Sequence, residues 1–292
     1  MTEMTDIAII GAGRLGTCLG AALSRAGHTV ASLSCRSLRS GRESRRLIGR
    51  GSLFTDPAAA AEQGSIVFLT VPDEAIQPLA AGLAGTGIDW RTRIVFHCSG
   101  LFPSSLLGPL AARGARTASF HPVQSFPRKS RRKSLFRGIF IGLEGDQEAI
   151  RRGRALAADL GARSLLIRPA DKPLYHAACS SASNLFTALL SASVSMMEEA
   201  GIDKDLASGI LLPLVQGTLQ NVKKFGLTDS LSGPIARGDA DSLGRHLKAL
   251  SRAPRAGRIY RSLAHEALRM AALEGKVPDE KIRALKSLLE GE

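Results

Sequence analysis

Residues 6–27 read Asp6-Ile-Ala-Ile-Ile-Gly11-Ala-Gly13-Arg14-Leu15-Gly16-Thr-Cys-Leu-Gly-Ala-Ala-Leu-Ser-Arg-Ala-Gly27, and this stretch decides the fold. An apolar, β-rich run meets a G-x-G-x-x-G turn directly, and a helix-forming segment closed by glycine follows. Gly11 admits the tight turn, Gly13 lets a pyrophosphate approach bare main chain, and Gly16 allows the helix to pack close on the strand. The N–H groups of the first helical turn, where Arg14 and Leu15 stand, add donors and a partial positive charge. A glycine turn alone is a weak signal. Strand, turn, helix and a second strand about twenty residues on form the setting that dinucleotide binding requires.

Working outward, the β-rich runs HTVASLS, SIVFLTV, RIVFHCS, ARTASFH, GIFIGL and RSLLI alternate with helical stretches up to residue 168. This rhythm predicts an α/β fold over residues 1–168, a doubly wound and mostly parallel sheet with helices on both faces. From Pro169 onward Ala, Leu, Ser and charged residues recur at helical spacing, so residues 169–292 are expected to form an all-helical domain. A length of 292 residues suits two domains with real cores, and 44% apolar content excludes disorder and collagen.

The apolar run Leu185–Met197 is broken by Thr187, Ser191, Ser193 and Ser195, so no membrane span is expected. Glu3 and Asp6 precede the first strand where a signal peptide would carry a basic flank, and a cytoplasmic location is expected. Cys18, Cys35, Cys98 and Cys179 are scattered without a C-x-x-C pair, which predicts reduced thiols. The insertion PRKSRRKS, Pro127 to Ser134, reads as a mobile surface loop.

A dinucleotide site that prefers NAD carries an acidic residue at the end of the second strand, on the ribose 2′-hydroxyl. Here no acidic residue occurs from Arg14 to Arg42, and the strand ends in Ser34-Cys35-Arg36-Ser37. A guanidinium fork at Arg36 and hydroxyls at Ser34 and Ser37 suit a 2′-phosphate, so NADP is the predicted cofactor. Arg39, Arg42, Arg45 and Arg46 read instead as a solvated helix face.

In such sheets the ligand lies beyond the carboxyl ends of the strands. Three segments fall there: Val71-Pro72-Asp73, where Asp73 is expected to cap the next helix or contact the cofactor; His97-Cys98-Ser99-Gly100; and His121-Pro122-Val123-Gln124. Ser99, Gly100, His121 and Gln124 are candidates for substrate binding. The histidines and cysteines, with His176 and Cys179, raise the question of a metal, but no short-spaced ligand pair anchors one and none is expected.

The segment from Asp171 to Leu190 reads as a helix opened by an Asp cap. At 100° per residue, Lys172, His176, Ser180, Ser183 and Thr187 fall within an arc of about 80°, with Asn184 at its edge. The serines and Thr187 equally suit a tight helix–helix contact. Lys172 and His176 stand four apart, and two cations so close are expected to lower one another's pKa, leaving one able to donate a proton or hold a substrate carboxylate. Gly233-Pro-Ile-Ala-Arg237-Gly-Asp239 is a turn-rich break whose Arg237 either meets a substrate carboxylate or merely marks the end of a helix.

GAGRLG, TVPDEAI, HCSG, HPVQSF, KPLYHAACSSASN and LSGPIARGD, in this order, resemble the Rossmann-like oxidoreductases with a C-terminal domain of unknown function 2520. These are distant relatives of pyrroline-5-carboxylate reductase and the 6-phosphogluconate dehydrogenase superfamily. The resemblance implies proton transfer by a helix-borne Lys with a polar partner one turn later. Those roles fall on Lys172 and on His176, which stands where relatives often have Asn. It also implies substrate at the Ser99-Gly100 turn, a site that includes Arg237 or a partner subunit, and homodimers packed through the helical domain.

Three functions compete. An NADPH-dependent oxidoreductase acting on a small, anionic carbonyl or imine compound leads. A non-catalytic NADP sensor or scaffold shares its fold signals. Nucleic-acid binding, suggested by a net charge of +13 and the Arg128–Lys133 cluster, is weakest, because the chain has two Tyr, one Trp and no nucleic-acid module. Neither nucleic acid nor membrane is an expected partner.

Overall fold

The structure is a computed structural model that describes residues 5–126, 129 and 135–291. Apart from Lys129, the basic insertion Pro127–Ser134 lies outside the described residues. The chain forms two compact units, Met1–Ser180 and Ser181–Glu292.

The first unit is built on eight strands: β1 (Asp6–Ile10), β2 (Thr29–Ser34), β3 (Ser52–Phe54), β4 (Ile66–Leu69), β5 (Ile94–His97), β6 (Arg116–Pro122), β7 (Phe140–Gly145) and β8 (Arg163–Leu166). They lie in the order β3-β2-β1-β4-β5-β6-β7-β8. Pairing is parallel except between β6 and β7. The strand order reverses at β1/β4, which opens a crevice at the carboxyl ends of these strands. Helices α1 (Arg14–Arg25), α2 (Leu38–Ile48), α3 (Pro57–Ala61), α4 (Asp73–Ala84), α5 (Gly108–Ala111) and α6 (Gln147–Asp159) flank the sheet.

Alternation along β1 supplies both cores. Ile7 and Ile9 join Leu19, Phe68, Phe96 and Phe120 on one face, while Ala8 and Ile10 join Val67, Leu69, Ile76 and Trp90 on the other. Both faces of the central strands are therefore covered, which is why β1, β4 and β5 read as nearly unbroken apolar runs.

The boundary between units falls later than the sequence suggests, after α7 (Lys172–Ser180). Hydrogen bonds from Lys172 and Tyr175 tie this helix to the strand ends, as described below. Asp171 ends a short 3-10 turn, Pro169–Asp171, and its carboxylate accepts from Arg168 Nε.

The second unit is helical throughout its described residues. A π-helical segment, Ser181–Leu185, is followed by α8 (Phe186–Glu199), α9 (Lys204–Asp229), α10 (Pro234–Arg237), α11 (Ala240–Ala249), α12 (Pro254–Glu274) and α13 (Asp279–Glu290). Leu243, Leu268 and Leu285 centre its larger core. Of the 26 residues of α9 only Ala207 and Leu211 are buried, and Leu206, Ile210 and Leu214 form an exposed stripe. The π segment winds more residues per turn than an α-helix, so the polar arc drawn at 100° per residue does not carry on through Ser183 to Thr187. The helical run Pro169–Glu199 is long and apolar enough to cross a bilayer by length and composition. Thr187, Ser191, Ser193 and Ser195 interrupt the run, while its Ala and Leu keep the mean hydropathy high.

Candidate active site

Gly11 has φ +88°, and a Cβ there would lie 2.6 Å from Val71 Cγ1. Its N–H and that of Ala12 both donate to the Ser34 carbonyl, at 3.1 and 2.9 Å, so β2 holds the turn. A Cβ at Gly16 would collide with Thr70 Oγ1, which itself donates to Gly11 O at 2.9 Å. Gly13 is exposed, and among the described residues beyond its chain neighbours its would-be Cβ meets Gly11 O alone, at 3.8 Å. Helix α1 begins beside it with no side-chain cap and no acidic residue in its first turn. A cradle with an open face at Gly13 and uncapped donors from Arg14 onward fits a diphosphate. Sequence reasoning missed Thr17 and Ser44, whose hydroxyls both donate to Ala12 O and pin α1 and α2 to the turn.

At the end of β2, Arg36 is exposed. Ser34 is 3% exposed and its carbonyl is occupied by the glycine turn, while Ser37 caps α2 by accepting from Ser40 N–H. Lys129 also reaches this end, donating to Ser40 Oγ at 2.8 Å and Glu43 at 3.0 Å. The expected cap at Asp73 is not formed. Pro72 occupies the N-cap of α4 and Asp73 is its first residue, where a carboxylate interacts with the helix dipole without bonding an N–H.

Beyond β5 the chain turns sharply. Ser99 N–H donates to His97 Nδ1 at 3.1 Å, and Ser99 Oγ accepts from Leu101 and Phe102 N–H at 3.2 and 3.1 Å. Lys172, with no exposed surface, donates from Nζ to Ser99 O at 3.2 Å and to Ser119 Oγ at 2.7 Å. Ser119 Oγ in turn donates to Ser99 O at 3.2 Å. Lys172 thus sits beneath the turn and fixes it. Glu144, across from Ser119 in the β6/β7 register, is buried and accepts from Ser104 N–H and Oγ–H.

Above the turn stand His121 and His176, with ring centroids 6.1 Å apart. A Cβ at Gly100 would lie 2.7 Å from His121 Cε1, His121 Nε2 and His176 Cδ2. The missing side chain therefore brings both imidazoles against the Gly100 main chain. His121 Nδ1 is 2.8 Å from Tyr175 Oη. The site brings together Ser99, Gly100, His121, Lys172 and His176. Gln124 is turned away: its amide bonds Ser125 N–H and Leu135 O. Asn184, in the π segment, and Arg237, the last residue of α10, are exposed residues of the second unit.

Burial dominates the electrostatics. It lowers Lys172 below an ordinary lysine, against the opposing pull of Glu144, Asp73 and Cys98. It pushes His121 down to about 4, helped by the charges of Lys172 and His176. His97 falls to about 3 through burial and then Lys172. Burial also raises the Cys98 thiol and the Tyr175 phenol. Mutual lowering of Lys172 and His176, expected from their spacing, is not what displaces the lysine: desolvation is, and the charge of Lys172 acts on His121 and His97 instead.

This cradle and sheet define the class. The family description "Rossmann-like domain" matches residues 2–122, and "Domain of unknown function (DUF2520)" matches residues 139–267. The first part of the chain is thus similar to Rossmann-like domains and the later part to DUF2520 domains. Among curated proteins none matches it. Among solved structures, a Bacteroides fragilis protein provisionally assigned as an NADP oxidoreductase is 23% identical with a TM-score of 0.75, over 90% of this chain and 98% of that one. The reductive aminase of Aspergillus terreus, solved with NADPH and ethyl-5-oxohexanoate, is 17% identical with a TM-score of 0.63, over 99% of this chain and 93% of that one. A pyrroline-5-carboxylate reductase of Coxiella burnetii is 16% identical with a TM-score of 0.59, over 98% and 99%.

Proposed function

We propose that this chain is a cytoplasmic NADPH-dependent oxidoreductase that moves a hydride to or from a small, anionic carbonyl or imine compound. The observation that carries this reading is the open face at Gly13 beside the uncapped start of α1. The redox enzymes that share its fold support it. The uncapped main-chain N–H groups of Arg14 and Leu15 would hold the diphosphate against Gly13; Arg36 and Ser37 would hold the 2′-phosphate. Val71, Pro72 and Asp73 border the same crevice. NADPH supplies the hydride when bound. His121 and His176 stand with their imidazole edges against Gly100, and a substrate oxygen or nitrogen brought beside that turn would accept a hydrogen bond from them. Lys172 holds the Ser99-Gly100 turn from below and places a positive charge under it, which favours an anionic substrate.

Arg36→Ala tests the cofactor half. Removing a guanidinium from a dianionic phosphate weakens NADPH by roughly 10- to 100-fold and leaves NADH unchanged, as read by fluorescence titration. Equal loss for both, or no NADPH binding by the wild type, refutes the assignment.

The exposed stripe of Leu206, Ile210 and Leu214 supports a second copy of this chain as the partner of the helical unit. Sedimentation is expected to give a dimer, and Ile210→Lys a monomer; a monomeric wild type would exclude this assembly.

A further inference from the structure

We infer that Tyr175 is a positioning residue: its hydroxyl donates to His121 Nδ1 and so holds His121 as a neutral imidazole whose Nε2–H edge lies against the Gly100 main chain. That this N–H meets a reacting oxygen or nitrogen rests on the oxidoreductase reading; the pairing itself does not.

Two absent side chains frame the imidazole. On its Nδ1 side, Gly142 pairs with His121 across the β6/β7 ladder, and a Cβ at Gly142 would lie 2.8 Å from Tyr175 Oη. Only glycine there lets the phenol lie over the strand and reach Nδ1 at 2.8 Å. On the other side Gly100 lets the Cε1–Nε2 edge close on the main chain, because a Cβ there would lie 2.7 Å from both atoms. Antiparallel pairing of β6 with β7 therefore serves the site by bringing Gly142 alongside His121.

The direction of the hydrogen bond follows from acid–base chemistry. A phenol is a stronger donor than a neutral imidazole N–H, and an imidazole nitrogen is a stronger acceptor than a phenol oxygen. The other side chain acting on Tyr175 is that of Cys179, whose sulfur is a weak acceptor. The phenolic proton thus goes to Nδ1, and the imidazole proton resides on Nε2. The titratable groups facing His121 are Lys172, Tyr175 and His176 from α7 and His97 from β5. Burial, and after it the charge of Lys172, keep His121 uncharged at neutral pH, so it polarises the substrate without being its proton source.

Ring-nitrogen NMR of the histidine-labelled, full-length protein tests this without a substrate, with His121 assigned from the signals lost in His121→Asn. At neutral pH the expected spectrum has His121 Nδ1 at an unprotonated shift and Nε2 at a protonated one. In Tyr175→Phe, which keeps the ring and removes the hydroxyl, the Nδ1–H tautomer becomes a major species. A purely packing role would leave the tautomer unchanged. An Nδ1–H signal in the wild type overturns the inference whether or not the variant folds, as does a folded Tyr175→Phe with the wild-type spectrum. NADPH titration of the same samples separates the two readings, because failure to bind the dinucleotide removes the proposed function and leaves the tautomer result standing.

Discussion

Gly13→Ala and Gly16→Ala, two identical chemical changes three residues apart, are expected to fail in opposite ways. At Gly13 the new methyl meets only Gly11 O at 3.8 Å, and φ is −76°, so the fold loses no more than about 1 kcal/mol. The methyl then occupies the approach to the main chain that a diphosphate needs, and the NADPH dissociation constant rises about 100-fold, or ~2.7 kcal/mol. At Gly16 the methyl runs into Thr70 Oγ1, which cannot swing away without giving up its bonds to Ile10 O and Gly11 O. Overpacking together with broken hydrogen bonds costs about 3 kcal/mol, a fall of roughly 10 °C in melting temperature. Thermal melts with and without NADPH read both effects. Wild-type affinity in Gly13→Ala would show that the turn is structural only.

The same contrast shows where a sequence is informative. The glycine turn is legible because its rule is local: the motif, its strand and its helix are contiguous, and Gly11 and Gly16 stand where a Cβ would clash. The strand ends were legible for the same reason, and they led to Ser99, Gly100 and His121. Strand β3 escaped because Ser52–Phe54 is too short to show a period. The antiparallel direction of β7 escapes because ARTASFH and GIFIGL carry no mark of direction. Tyr175 escaped with it, since its partnership with His121 depends on the register that sets Gly142 opposite. Helical spacing marks Lys172 but says nothing of its burial. A polar stripe on a helix does not reveal which members point into protein, and Lys172 is wholly enclosed, bonded to a carbonyl and a hydroxyl that lie more than fifty residues away in sequence.

That enclosure makes the stability of the first unit depend on acid. His97 and His121 have folded-state pKa values of about 3 and about 4. Unfolded, each returns to about 6.5. Above this value neither state binds the proton and the two histidines contribute nothing to the pH dependence. As pH falls from 6.5 towards 4, the unfolded chain takes up protons that the folded chain refuses, so stability is lost throughout that window. Near pH 4.5 each histidine costs about 2.5 kcal/mol, a large share of a typical folding free energy. His97→Asn places an amide oxygen where Nδ1 accepts from Ser99 N–H and cannot be protonated in this range. It should lower stability slightly at pH 7.5, through lost packing, yet remove about half of the additional loss seen at pH 4.5. Urea midpoints at the two pH values measure the difference. If His97→Asn and the wild type lose equal stability on acidification, His97 is not held neutral by burial, and the account of a desolvated cluster beneath Gly100 fails with it.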